Sequence, residues 1–222
     1  MLKTINYKKT TMNNLPKEIP IFPLPNFIIF PNSIVPLNIF ERRYIEMIND
    51  CMKGNRIFGV IQPKDNKTNK PGLYQIGCAG KITSFNETDD GRYLIVVSGL
   101  SRFRILNENE TNKLYRKVSV DFKEFSNDFK SEITESIDED DFNNILNDFK
   151  ILFDRQGYLI NWNEFQKNDF AQTINTLSMA SPFSTEEKQI LLESKSLEQR
   201  KNKLNQILSL YLSDRFKNKT IQ

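Results

Sequence analysis

The chain has 222 residues, enough for one large domain or two small ones, each able to bury a core. It is 38% hydrophobic and 27% charged, with two cysteines, Cys51 and Cys78, in no metal-ligand pattern; this fits a soluble, reduced, cytoplasmic protein better than a disulfide framework. Histidine is absent, which excludes Ser-His-Asp and Cys-His catalysis, histidine metal ligands and a histidine proton switch.

The net charge of +3 conceals an asymmetry. Residues 1–126 carry 19 Lys/Arg against 12 Asp/Glu, whereas residues 127–222 carry 12 against 16. Composition changes at the same place, with extended apolar runs before it and helical periodicity after it. A boundary is therefore expected near Ser126–Glu132. It leaves a tail over 1–17, a β-rich region over 18–126 and a helical bundle over 127–222.

In chain order, the first feature is "IPIFPLPNFIIFPNSIVPLNIFERRY", Ile19–Tyr44, with five prolines among its 26 residues. Pro20, Pro23, Pro25, Pro31 and Pro36 break every window well short of the roughly 20 apolar residues of a spanning helix. The polar residues before it and the lack of a small-residue cleavage site argue against a signal peptide. Proline lacks an amide donor and keeps its predecessor extended, which suits strand edges and bends. Strands are predicted over Glu18–Leu24, Phe27–Phe30 and Ile34–Ile39.

The segment "FERRYIEMINDCMKG" places Phe40, Tyr44, Met47, Ile48, Cys51 and Met52 on one helical face, with Gly54 as a left-handed cap. Strands resume in "RIFGVIQP", "LYQIGCAGKITSF", "RYLIVVSGLSRFRIL" and "YRKVSVDFKEF". Asp90-Gly91 marks a hairpin turn between the second and third of these. About seven short strands with one helix predict a partly closed barrel.

The second half predicts four helices joined into a bundle. Phe142, Ile145, Leu146, Phe149, Leu152 and Phe153 form one stripe ended by Gly157, and Phe170, Ile174 and Leu177 form another. Ser184 with Glu187, and Ser196 with Gln199, read as capping boxes. The last helix offers Leu197, Leu204, Ile207, Leu208, Tyr211 and Leu212 for burial.

The Ile19–Tyr44 stretch resembles the opening motif of the Lon substrate-binding (Lon amino-terminal) domain family. The family form is a Phe-Pro-Leu strand, Phe-Pro, Pro-Leu and then Ile-Phe-Glu-Pro-Arg-Tyr; Arg42 here stands where proline is common. "FGVI", Phe58–Ile61, agrees as well, and Ile76–Ile105 ends in the family's Gly-x-x-Arg-Phe pattern at Gly99, Arg102 and Phe103. The tail "LSMASPFSTEEKQILLESKSLEQRKNKL" resembles the family's helical half. The resemblance spans about residues 16–210 and implies an α+β fold, a PUA-like β-barrel followed by an α-helical bundle.

It also implies a stand-alone, ATP-independent recognition domain, since the sequence contains no G-x-x-x-x-G-K-[ST] phosphate loop and no room for a protease domain. The expected role is non-catalytic binding of unfolded or partner polypeptides, with delivery to a separate protease as one use in quality control. No cofactor, metal or membrane is implied. The rival readings are a PUA-like RNA-binding module and a small-ligand protein using the barrel–bundle cleft. RNA binding is disfavoured because Lys64, Lys67, Lys70 and Lys81 are dispersed with no aromatic ladder among them.

The binding candidates are the outward members of Phe27, Ile28, Ile29 and Phe30, together with Ile34. Four consecutive bulky residues cannot all face one side of a sheet, and an exposed apolar patch marks an interaction site. Glu41 and Arg102 are expected to form a structural hydrogen-bonded pair at the strand–helix corner, because a buried arginine fork anchors a carboxylate. The remaining features read as structural. Asp138–Asp141 is a solvated helix start, Cys51 and Cys78 are small core residues, and Trp162 and Phe165 pack between helices.

Overall fold

The computed structural model describes residues 3–4, 14–65, 70–129, 138–165 and 169–217. The chain divides into two units, Met1–Ser131 and Glu132–Gln222. The first holds strands β1 (Lys3–Thr4), β2 (Glu18–Pro23), β3 (Ile34–Ile39), β4 (Ile57–Ile61), β5 (Ile76–Glu87), β6 (Tyr93–Asn109) and β7 (Arg116–Asp121). Helix α1 (Arg42–Lys53) follows β3, and a 3-10 segment, Lys123–Phe129, follows β7.

The sheet order is β1-β5-β4-β2-β7-β6-β3, with β5 also paired to β6. The pairings β5–β4, β4–β2, β2–β7, β7–β6 and β6–β5 thus return to their start, leaving β1 and β3 as extensions. The sheet is mixed, because β2 and β4 are parallel and the other neighbours antiparallel.

Inside this circuit, Ile19, Ile21, Ile57, Ile61, Ala79, Phe103, Val118, Val120 and Phe122 form the core. Phe103 needs bare backbone on two strands. A Cβ at Gly59 would lie 2.7 Å from its ring, and one at Gly77 would lie 2.6 Å away. Helix α1 buries Tyr44, Met47, Ile48 and Cys51, with the Tyr44 ring 4.3 Å from that of Phe22.

Three expectations for this unit are corrected. Phe27–Phe30 is not a strand but an irregular segment, flanked by left-handed Asn26 and Asn32. Ile28, Ile29 and Phe30 are buried and Phe27 is half-buried. With no alternation available to a run of four bulky residues, the backbone leaves the ladder and finds other partners. The Ser33 hydroxyl donates to the Phe30 carbonyl at 2.6 Å and accepts from the Phe30 amide at 3.3 Å. Asn32 N–H donates to the Gly99 carbonyl at 3.0 Å, and Gly99 N–H donates to the Ser33 carbonyl at 2.9 Å. A Cβ on Gly99 would fall 2.0 Å from the Phe30 oxygen, so only glycine admits this crossing.

The second correction concerns the end of α1. Gly54 has φ −114°, and Arg56 takes the left-handed conformation at φ 64°. The turn is shaped by its exit into β4, where the Arg56 carbonyl accepts from Ile82 N–H and Asn55 Oδ1 accepts from Ile57 N–H. Phe40, placed on the helix face by spacing, precedes the helix and is exposed.

The third is the expected Glu41–Arg102 pair. Glu41 accepts from Arg43 Nε at 2.9 Å, and both side chains are nearly half exposed. Arg102 instead grips Asp128: its Nε and backbone N–H donate to Oδ2 at 3.0 and 2.9 Å, and a terminal nitrogen donates to Oδ1 at 2.7 Å. These side chains are 4% and 7% exposed, and the guanidinium stacks 4.3 Å over the Phe125 ring. The fork therefore anchors the 3-10 segment to β6, and its carboxylate comes from beyond the last strand.

The second unit holds α2 (Glu139–Gln156), the single turn α3 (Trp162–Phe165), α4 (Phe170–Ala180), α5 (Thr185–Leu192) and α6 (Leu197–Lys217). Asp138 caps α2 by accepting from Asp140 N–H, and Gly157 ends it at φ 75°. Ile145, Phe149, Leu152 and Phe153 are its buried stripe, and Leu197, Leu204, Ile207 and Leu208 are that of α6. Ser184 and Glu187 form the full capping box of α5. Before α6, Ser196 Oγ accepts from Gln199 N–H, but the Gln199 side chain accepts from Lys195 N–H, one residue earlier than a regular box. Among the described residues no helix is long and apolar enough to cross a membrane.

Three substitutions test this geometry. Gly99→Ala forces Phe30 and β6 apart and should cost about 1–3 kcal/mol, a typical overpacking penalty, read as a lower urea midpoint. Asp128→Ala strands the buried Arg102 charge and should cost about 3–5 kcal/mol. Glu41→Gln loses an exposed pair and should cost about 1 kcal/mol or less. Equal thermal midpoints for the Asp128 and Glu41 variants would contradict the assignment of Asp128 as the partner.

Candidate functional site

Strand β3 stands at one end of the sheet, and its alternation sets what it shows to solvent. Val35, Leu37 and Ile39 turn inward, opposite Val97, Ile95 and Tyr93 of β6. Ile34, Pro36 and Asn38 are exposed, and Phe40 continues the series just past the strand. The register pairs Ile34 with Ser98, Pro36 with Val96 and Asn38 with Leu94. Directly opposed residues share a face, so these six side chains form one surface. Its large apolar members are Ile34 at 72% exposure, Leu94 at 38% and the neighbouring Phe40 at 65%.

The five binding candidates read from the sequence therefore separate. Ile34 lies on this surface. Phe27 is half-buried, and Ile28, Ile29 and Phe30 are buried, with the Phe30 carbonyl against Gly99, the residue after Ser98. Leu94, Val96, Pro36 and Phe40 were not among those candidates. Their signal was present as period-two alternation in "IVPLNIF" and "YLIVVS", which the proline count obscured.

Cations border the surface. Lys81 of β5 pairs with Ser98, which places it in one cross-strand row with Ile34. Its ammonium is pushed below its ordinary value by partial burial and then by the charge of Arg56. At the other end, Arg42 is exposed in the first turn of α1, with no carboxylate within 4 Å among the described residues. The carboxylates further along α1 are engaged elsewhere. Asp50 accepts from Tyr115 at 2.9 Å and pairs with Lys113 at 2.8 Å, and these bonds hold it below the usual carboxylate range.

The remaining candidates take structural roles. Cys51 and Cys78 are buried, and burial pushes the Cys51 thiol up to about 12, far from a reactive thiolate. Asp141 pairs with Lys201 at 2.6 Å, and the Trp162 ring lies 6.0 Å from Phe153. Among the described residues no cluster of three cysteine or carboxylate groups is placed to hold a metal ion. What the surface presents is apolar area, an unpaired strand edge and positive charge.

Comparison with known proteins places this architecture. Residues 18–209 match the family model of the ATP-dependent protease La (LON) substrate-binding domain. The Lon protease of Desulfosudis oleivorans is 28% identical over 216 residues, covering 90% of this chain but 24% of that protein. The chain thus spans about a quarter of that relative's length, and the rest of the relative lies outside the match. Among solved structures, the Lon N-terminal domain protein from Xanthomonas campestris matches with a TM-score of 0.60 at 19% identity, covering 86% of this chain and 97% of that one. The N-terminal domain of the Mycobacterium avium complex Lon protease matches with a TM-score of 0.56 at 17% identity, covering 87% and 98%. At those identities the likeness establishes the fold, an α+β arrangement of a mixed sheet followed by helices. With 192 consecutive positions (18 through 209) matched to one family model, the chain belongs to the Lon substrate-binding domain family.

Proposed function

We propose that this protein binds polypeptide chains without cleaving them, taking apolar segments of unfolded or partner proteins in protein quality control. The observation that carries this reading is the solvent-facing apolar surface of Ile34, Pro36, Leu94 and Val96, continued by Phe40. Membership of a substrate-binding family supports it, and delivery of bound chains to a separate protease is a use consistent with it. The division into a tail over 1–17, a β-rich part over 18–126 and a helical part over 127–222 belongs to this reading. So do a PUA-like identity for the closed strand circuit and a cytoplasmic setting, which suits the two buried thiols.

Binding through this surface is weak by its physics. Full burial of one large apolar side chain contributes about 1.5–3 kcal/mol. Ordering the incoming backbone costs about 1–2 kcal/mol per residue. A few apolar contacts therefore barely offset the ordering of a short segment, and selectivity for any one sequence is low.

The test is titration of a reduced, unfolded model protein at low and moderate salt, beside a single-stranded RNA. Polypeptide binding should survive moderate salt, because area drives it more than charge. Ile34→Lys and Leu94→Lys should each weaken it by about tenfold or more, the loss of one buried apolar side chain, without lowering the thermal midpoint. Absent polypeptide binding combined with salt-sensitive RNA binding would replace this reading with a nucleic-acid one.

A further inference from the structure

Strands β5, β4, β2, β7 and β6 each have neighbours on both sides. Of the two terminal strands, β1 is two residues long and β3 is six. Strand β3 is thus the long open edge among the described strands, and its outward amides and carbonyls have no ladder partner. Beside that edge lies the apolar row from Ile34 to Phe40, about 20 Å of extended chain at 3.3 Å per residue. One end carries a cation: Arg42 is exposed two residues beyond Phe40.

We infer that β3 is a docking edge for an extended segment of a foreign polypeptide, which adds as a further strand. The segment it fits best has apolar side chains at alternate positions and a carboxylate at the end that meets Arg42. This rests on the polypeptide-binding reading above and specifies its mode. Apolar contact with this surface barely offsets the ordering of a bound chain, and main-chain hydrogen bonds are the contribution that any unfolded sequence can make. Pro36 discriminates against a second copy of this chain. Two β3 edges paired together would bring two donorless prolines into one ladder, whereas a foreign segment meets only one.

The experiment uses the full chain and four probes. These are a reduced, unfolded model protein; a twelve-residue peptide of alternating valines and threonines with glutamates at its ends; the same peptide with terminal lysines; and the glutamate peptide N-methylated at alternate amides. Hydrogen exchange is read on the protein in each titration. The glutamate peptide should slow amide exchange within residues 34–39, and its N-methylated form should fail to bind. The glutamate form should bind about threefold to fivefold tighter than the lysine form, the scale of one or two exposed ion pairs. Arg42→Glu sits at a helix N-terminus that tolerates a carboxylate, so it should fold normally and reverse that preference. Unfolded-protein binding with unchanged exchange at 34–39, or equal affinity for the N-methylated peptide, would overturn strand addition and leave polypeptide binding standing. Failure of the unfolded protein to bind at all would remove both.

Discussion

The sheet-containing unit depends on one steric condition, the seat of the Phe103 ring. The ring lies against strand backbone at Gly59 and at Gly77, and both glycines are needed because a Cβ at either would overlap it. Phe103 thereby joins β4, β5 and β6 around one side chain, and Ile19 of β2 reaches the same point from across the core. A large aromatic at a crowded centre removes apolar area from water and sets the strand spacing together. The strand circuit can close because its centre is filled this way.

A second crossing works by the same logic four residues earlier on β6. Gly99 lets the Phe30 carbonyl lie on the strand, and Ser33 and Asn32 complete the hydrogen bonds. Between these two crossings sits Arg102, whose fork turns outward to hold Asp128 of the 3-10 segment. The Gly-x-x-Arg-Phe pattern is therefore three adjacent structural devices: a backbone crossing, a buried charge anchor and the core aromatic. None of them faces the apolar surface of β3 and β6. Folding and recognition use different positions of the same strand.

That separation bears on how such a surface persists. Exposed apolar area on an edge strand invites self-association, and Pro36, which lacks an amide donor, opposes it. The buried foundation of Ile28, Ile29 and Phe30 takes up the most hydrophobic part of the segment, leaving outside only what the strand alternation presents. The opening run is neither all core nor all binding surface. It is a core segment followed, after one turn, by a displayed edge.

Much of this was readable in the sequence, where local rules apply. The Ile34–Ile39 strand, the Gly157 stop, the Ser184–Glu187 capping box and the buried stripes of α2 and α6 depend on near neighbours and periodicity, and they stand as expected. The family motifs likewise reported the fold, because their spacing reflects close approaches of backbone. Tertiary structure decided what near neighbours cannot. Glu41 lay close to the strand–helix corner in sequence, but Asp128, 26 residues beyond Arg102, is the carboxylate that reaches the guanidinium. Phe27–Phe30 had the composition of a strand, yet it pairs with none of the described strands; Ser33 bonds the Phe30 amide and carbonyl, and Gly99 bonds Asn32 and Ser33 just beyond it. Ile34 was legible as a candidate, whereas Leu94 and Val96 joined it only through the register of β3 on β6. Sequence specifies each strand's two faces, but only pairing determines which residues from distant strands share one of them, because a one-residue shift in register would turn the other set outward.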